Sequence, residues 1–271
     1  GTLICHVLEY IPFPISYDDD LKILQLIATA HWTKKYDKYA DPVVDEIKEV
    51  KADETGKTSD GISGYSIIED YLKAIGGKEE VKKVNTIIAD ISLEMMGRNF
   101  AGVDKRMNPN KTSTELKMGT MVVFKALFDG TTGYQQQGPG KKDMTPEEIK
   151  EQQDDKAVIP QLLYNTADYK TEYLGRGKVE NEETYRLKVV MPSGRTSVQQ
   201  YSMKTGLLLQ EETTNKQGDT DLPTVIEYKN YQKFGALMIP TEVTRSIGGQ
   251  DLVFKFANVK FNEGVTEADF K

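Results

Sequence analysis

The chain has 271 residues, with 35 Lys and Arg against 42 Asp and Glu, which gives a formal charge of −7. Hydrophobic residues make up 38% of it and the mean hydropathy is −0.52, values typical of a soluble protein. No apolar run approaches the roughly 20 residues that a transmembrane helix needs. The acidic balance argues against nucleic acid as a partner, because phosphates would be repelled.

The N-terminal part of the chain differs in composition from the rest. All Cys, His and Trp residues fall in the first 32 positions: Cys5, His6, His31 and Trp32. A helix predicted over Leu21–Ala30 is apolar on most of its surface, which is typical of a helix that packs against a partner. We therefore expect three regions: an apolar, helical element at 1–46, separate or the tail of a preceding domain; a linker at 47–64; and a main domain at 65–271. Since the chain starts at Gly1 and not at Met, we interpret it as a piece of a longer protein.

Three helices are predicted in the main domain. Ser66 and Glu69 have the spacing of a capping box, in which each side chain binds a free backbone N–H at the helix start. The helix they open carries one apolar stripe: Ile67, Ile68, Tyr71, Leu72 and Ile75. Gly76-Gly77 ends it and a short helix is predicted over Lys78–Val84. The third helix begins with Thr145 as its N-cap, followed by Pro146.

From Thr86 onward the apolar residues recur with a period of two, which predicts β-strands. Residues 86–95 and 184–191 show the clearest alternation. The other predicted strands are Asn99–Asn108, Lys111–Met118, Thr120–Phe128, Thr131–Gln137, Tyr169–Leu174, Arg195–Met203, Leu207–Lys216, Thr224–Phe234, Leu237–Ile247 and Asp251–Phe261. In the last strand the apolar parity changes near Ala257-Asn258, which predicts a β-bulge there.

These elements predict an α+β fold. About ten meandering antiparallel strands form an unclosed half-barrel packed against two or three helices, and short connections favour the meander over any crossover. The separate N-terminal helical element precedes this domain.

Few residues can support catalysis or metal binding. The chain has no His-x-x-Glu-His zinc motif, and its two histidines lie in the N-terminal element. Cys5, His6 and His31 lack the spacing of a metal site, so packed or surface side chains are the preferred interpretation. The run Gly138–Lys142 does not have P-loop spacing, and we expect a hairpin loop there. We predict no catalytic residue, no metal ligand and no cofactor.

Residues 120–128 are apolar on both faces, and one of these faces must pack on the core helices. The second face indicates either a hydrophobic groove or further core packing. Methionines cluster nearby in sequence, and their flexible thioethers suit varied acyl chains. The candidate groove residues are Met95, Met118, Met121, Val122, Phe124 and Phe128. By parity, Val122, Phe124 and Phe128 are expected on the same face.

Five segments in order resemble a known family. They are the helix Ile68–Lys78, the hairpin Phe128-Asp129-Gly130-Thr131-Thr132-Gly133-Tyr134, the turn Lys204-Thr205-Gly206-Leu207, the segment Gly235–Thr241 and the closing Val259–Val265. Together they resemble the LolA/LolB-like outer-membrane lipoprotein-sorting fold, in the version that follows insulinase-type zinc peptidases in some Gram-negative bacteria. The resemblance implies an unclosed barrel in the periplasm or at the outer-membrane periphery, whose concave side holds acyl chains or a hydrophobic segment. No catalytic residue carries over, because the zinc motif is missing.

The resulting hypothesis is a non-catalytic periplasmic binding domain for a lipid or a lipoprotein acyl chain. One alternative is an accessory or inactive C-terminal region of an insulinase-type zinc peptidase, which positions a hydrophobic peptide and contacts the preceding peptidase domain through Leu21–Ala30. Another is a structural protein-interaction domain.

Overall fold

The computed structural model of the protein describes residues 61–271, apart from 96, 218–219 and 248–249. The N-terminal element at 1–46, its helix Leu21–Ala30 and most of the linker at 47–64 lie outside the described residues, as do Cys5, His6 and His31.

Within the described residues the chain forms one antiparallel sheet of 13 strands with three α-helices. The strands are β1 (Thr86–Met95), β2 (Arg98–Met107), β3 (Lys111–Met118), β4 (Met121–Phe128), β5 (Gly133–Gln137), β6 (Gly140–Asp143), β7 (Lys170–Val179), β8 (Glu182–Val190), β9 (Thr196–Ser202), β10 (Leu208–Gln217), β11 (Thr220–Phe234), β12 (Leu237–Ile247) and β13 (Gln250–Phe261). The helices are α1 (Gly64–Ala74), α2 (Lys78–Lys82) and α3 (Pro146–Gln152). Two 3₁₀ helices cover Pro160–Leu162 and Glu267–Phe270.

The strand order is β6-β5-β4-β3-β2-β1-β13-β12-β11-β10-β9-β8-β7. The sheet is not closed into a barrel, since β6 and β7 are its two edges. The α+β class with an unclosed antiparallel sheet is therefore confirmed. The expectation of short connections throughout is wrong at one place, because residues 144–169 run from one edge of the sheet to the other. Residues 140–143, expected in a loop, pair with β5 as the edge strand β6.

The long connection at 144–169 joins the two halves of the sheet by polar contacts. The carboxylate of Asp154, which is 1% exposed, accepts hydrogen bonds from the Ser193 backbone N–H (2.7 Å) and hydroxyl (2.6 Å) beyond β8. Further along, the Val158 N–H donates to Oδ1 of Asn108 (2.8 Å), which follows β2. Backbone groups of a buried connection need such partners, and these partners fix its course across the sheet.

Helix α1 lies against the same face of the sheet. Its apolar stripe is buried as predicted: Ile67, Ile68, Tyr71, Leu72 and Ile75 are each at most 3% exposed. The capping box is one turn earlier than expected, because Ser63 caps the helix and the side chain of Ser66, not Glu69, completes the box. After the helix, the carbonyl of Ile75 accepts a hydrogen bond from the N–H of Met238 at the start of β12 (2.9 Å). This bond ties the end of α1 to the sheet.

Of the four register shifts in the described sheet, two change which of the predicted residues face the core. The bulge predicted near Ala257-Asn258 is confirmed: the β1–β13 register shifts between Ile88/Lys260 and Asp90/Ala257. Phe256 and Val259 are therefore both buried although their parity differs. A second bulge, which was not predicted, lies in β4, where Leu116 pairs with Phe124 but the next residue, Lys117, pairs with Val122.

Candidate functional site

The six predicted groove residues have different environments. Phe124 and Phe128 are 4% and 0% exposed and belong to the core. Met95 and Met118 are half-buried, whereas Met121 is 56% exposed and Val122 is 37% exposed. The bulge at Val123 places Val122 opposite Lys117, on the face away from Phe124. The parity count that put Val122 and Phe124 on one face is therefore wrong.

Four of the partly exposed apolar side chains form what we call the methionine rim: Met95, Phe100, Met118 and Met121. They lie on the core-facing side, at the end of β1–β4 where the β1–β2 and β3–β4 turns are. Met118 pairs with Met121, and Phe100 pairs with the buried Leu93. The side chains of the rim lie at the edge of the hydrophobic core and do not enclose a pocket.

A concave opening lies elsewhere, between α1 and the β9–β10 turn. This helix groove has a volume of about 390 Å³. Its apolar lining comes from Ile67, Ala74, Tyr185, Tyr201 and Met203, and its polar lining from Asp70, Lys73, Ser202, Lys204, Thr205 and Gly206. This volume lies within the range of small-molecule sites, and the lining is about half apolar and half polar.

The hairpin side of the groove is held in place by Ser202. Its hydroxyl accepts hydrogen bonds from the N–H groups of Lys204 (3.2 Å) and Thr205 (2.9 Å), and its carbonyl accepts one from Gly206 (2.9 Å). Gly206 has φ +74, and a Cβ there would lie 3.1 Å from the carbonyl oxygen of Asp70. The positive φ and this tight approach to α1 both favour glycine at the turn.

Tyrosine packing forms the floor of the groove. The rings of Tyr71 on α1 and Tyr201 on β9 meet edge to face, with their centroids 5.4 Å apart. Tyr201 is 1% exposed, so its ring is held in place by packing at the base of the groove.

Three charged side chains line the groove. Asp70 and Lys73 lie on α1 and Lys204 on the hairpin turn, and all three are exposed. Among the described residues none of the three forms an ion pair. The two lysines come from opposite walls, so the groove carries a net positive charge.

Beneath the groove the core is polar. Gln199 donates to Oε1 of Glu211 (3.2 Å), Tyr228 donates to Oε2 of Glu211 (3.0 Å), and the hydroxyl of Tyr201 donates to Gln199. Glu211 and Gln199 are 4% and 0% exposed. Burial, together with the neighbouring Tyr164, raises the pKa of Tyr201 well above its ordinary value, so this hydroxyl is a hydrogen-bond donor at any physiological pH.

Two parts of this region were indicated by sequence patterns. The turn Lys204–Leu207 was singled out by resemblance, and the apolar stripe of α1 by its periodicity. Neither pattern indicates that the helix and the turn are neighbours, because they are far apart in the chain. The buried Gln199 and Glu211 were missed, since polar residues in a strand are ordinarily assigned to the solvated face.

In the part of the chain that the structure describes, no three His, Cys, Asp or Glu side chains are grouped so that they could hold a metal ion. None of the described helices has both the length and the apolar character needed to cross a membrane.

Comparisons with known proteins identify the fold. The sequence matches no protein-family model, and no curated protein matches it. A LolA superfamily protein from Nitrosomonas europaea has a similar structure, with a TM-score of 0.52 and 12% identity over 78% of this chain and 98% of that one. A DUF1329 family protein from Desulfovibrio piger has a TM-score of 0.50 and 13% identity, over 77% of this chain and 95% of that one. The described domain therefore shares its fold with these two proteins. Neither protein is named as a peptidase, so that part of the resemblance stays a prediction.

Proposed function

We propose that the domain binds the hydrocarbon chain of a lipid or an acylated lipoprotein in the helix groove. The observation that carries this proposal is the opening of about 390 Å³ between α1 and the β9–β10 turn, whose lining includes Ile67, Tyr185 and Met203. The LolA-like fold supports it as an analogy, since fold alone does not determine function. In this proposal the protein acts in the periplasm or at the outer-membrane periphery of a Gram-negative bacterium, as a binding domain without catalysis.

The volume of the groove makes the proposal quantitative. Each methylene that leaves water contributes about 0.8 kcal/mol, so two more carbons on a tail should strengthen binding roughly 15-fold while the groove has room. Once the groove is full, further carbons stay in water and the affinity should level off. A plateau is specific to a bounded groove, because simple adsorption to an apolar surface strengthens without limit as the tail grows.

The predicted rim residues have a place in this proposal as a second contact surface. Met95, Met118 and Met121 present flexible apolar side chains at the far end of the core-facing side. We propose that they contact the part of a long ligand, or of an acylated protein, that extends beyond the groove. Phe124 and Phe128 would reach a ligand only if the core opened, because both are buried.

A matched pair of substitutions tests the proposal. Met203→Asp places a charge in the groove lining, and Met121→Asp places the same charge on the rim. Neither methionine is buried, so both variants should fold. We expect Met203→Asp to lower the affinity for a fluorescent fatty acid more than tenfold, since an unpaired charge disfavours an apolar ligand. Met121→Asp should change this affinity less than threefold.

The outcomes are separable. Native mass spectrometry of the purified protein should show co-purified lipid that Met203→Asp removes. A protein that neither carries lipid nor binds the fluorescent fatty acid refutes the proposed function. Loss of binding in Met121→Asp alone would move the site from the groove to the rim.

The association with an insulinase-type zinc peptidase is proposed on the sequence resemblance of 67–271 alone. It expects the native gene to continue upstream into a domain with a His-x-x-Glu-His motif. In that case the groove would take a hydrophobic segment of the peptide substrate. Reading the upstream sequence of the gene tests this directly.

A further inference from the structure

We propose that the helix groove selects a monoanionic amphiphile, a molecule with one negative charge next to its hydrocarbon tail. This inference rests on the proposed function and names its ligand class. Lys73 and Lys204 lie on the two walls of the groove, so an anionic group at the groove's mouth has a cation on either side.

Lys73 differs from the lysines that follow it in the chain. Lys78, Lys82 and Lys83 are each held by a glutamate, at 2.7, 2.7 and 2.6 Å. Lys73 and Lys204 form no such ion pair within the described residues, and both lie beside the helix groove. A cation without a partner at the edge of a partly apolar groove favours an anionic group there, because the charge is available and the apolar part of the lining excludes some of the water.

Asp70 sets the charge that fits best. With its carboxylate on the same groove, the two lysines leave a net charge of +1. A carboxylate or a phosphodiester, with one negative charge, would neutralise this net charge, whereas a dianionic phosphate monoester would leave a net charge of −1 in the groove. The shared chemistry is one negative charge at the head of a tail, supplied by a free fatty acid or by an anionic phospholipid.

Ligand pairs with equal tails test the selection. Palmitate is compared with its neutral monoglyceride, and lysophosphatidylglycerol with lysophosphatidylcholine, which carries no net charge. We expect each anionic member to bind about fivefold more tightly than its neutral partner, because the free energies of two exposed ion pairs add up. The preference should fall as salt shortens the screening length from about 30 Å at 0.01 M to about 3 Å at 1 M.

Substitutions assign the preference to the groove. Lys73→Gln with Lys204→Gln should remove it, because the affinity for palmitate should fall about fivefold, to that of the neutral monoglyceride. Asp70→Asn should tighten palmitate binding about twofold. The control is Lys255→Gln with Lys260→Gln, which removes the same total charge from exposed positions of β13, and it should keep the preference.

Failure of this inference and failure of the proposed function look different. Equal binding of charged and neutral ligands, with no effect of the lysine variants, refutes the charge selection and leaves the groove as a binding site. Absence of binding by every ligand refutes both. A preference for palmitate over lysophosphatidylglycerol, or the reverse, identifies the headgroup. A preference that the β13 control also removes shows that the protein's overall charge is responsible, and this too overturns the inference.

Discussion

The junction between α1 and the β11–β12 turn can be tested with two adjacent glycines. Gly76 and Gly77 have φ of +130 and +100, so alanine is strained at both positions. They differ in their surroundings. A Cβ on Gly76 would lie 2.5 Å from the carbonyl oxygen of Ala236, whereas a Cβ on Gly77 would have nothing within 4 Å.

The expected cost follows from these distances. Gly77→Ala should lower the free energy of unfolding by about 1–2 kcal/mol, from backbone strain alone. Gly76→Ala carries the same strain and must also push the turn away, which breaks the hydrogen bond from Met238 to Ile75 and adds about 1–2 kcal/mol. The total for Gly76→Ala is about 2–4 kcal/mol.

Urea denaturation followed by circular dichroism measures both values, with the same slope expected for all variants. Palmitate affinity of the folded variants measures the groove independently, and Gly76→Ala should weaken it because α1 forms one wall. Equal destabilisation by the two alanines would refute the close approach of α1 to the β11–β12 turn.

Two other substitutions give distinct readouts. Partial burial raises the pKa of Asp129, but hydrogen bonds from Thr131 and Thr132 outweigh it and lower the pKa from 3.8 to about 2. Because its pKa is lowered, Asp129 stabilises the fold above about pH 4 and no longer does so below about pH 2. Asp129→Asn should therefore lower the free energy of unfolding by about 1 kcal/mol at pH 7 and leave it unchanged in strong acid. Urea denaturation measures this, and a difference between variant and wild type that stays the same at every pH contradicts the prediction. Phe124→Asp should abolish cooperative unfolding, since an unpaired buried charge costs several kcal/mol, whereas Val122→Asp on the exposed side should change stability by less than about 0.5 kcal/mol. Thermal scans measure the stability of both variants, and a stable Phe124→Asp protein would place Phe124 outside the core.

Most of the sheet is predictable because one face of each strand is buried and the other is solvated. Residues 86–95 alternate clearly, and β1 has those bounds. In β13 the change of parity revealed the bulge, since polar residues mark the solvated face on both sides of it. The bulge in β4 gave no such signal, because Val122, Val123 and Phe124 are all apolar and a register shift leaves the pattern unchanged.

The candidate groove required information that the sequence does not contain. It lies between α1 and a turn that is distant in the chain, and its shape depends on the approach of Gly206 to Asp70. The edge strand β6 was missed for a different reason. It is four exposed residues long, too short and too polar for periodicity to indicate a strand.

The pairing of β1 with β13 has a consequence for biosynthesis. Ile87 lies opposite Phe261, so the middle of the sheet joins the beginning and the end of the domain. Contacts between residues so far apart in the sequence raise the contact order of the fold, and a high contact order slows folding. Until the ribosome has released β13, the apolar strands β1 and β12 both expose unpaired backbone edges, which are prone to aggregate. The nascent domain therefore depends on its last strand, and a chain shortened before Gln250 would leave two half-sheets with nothing between them.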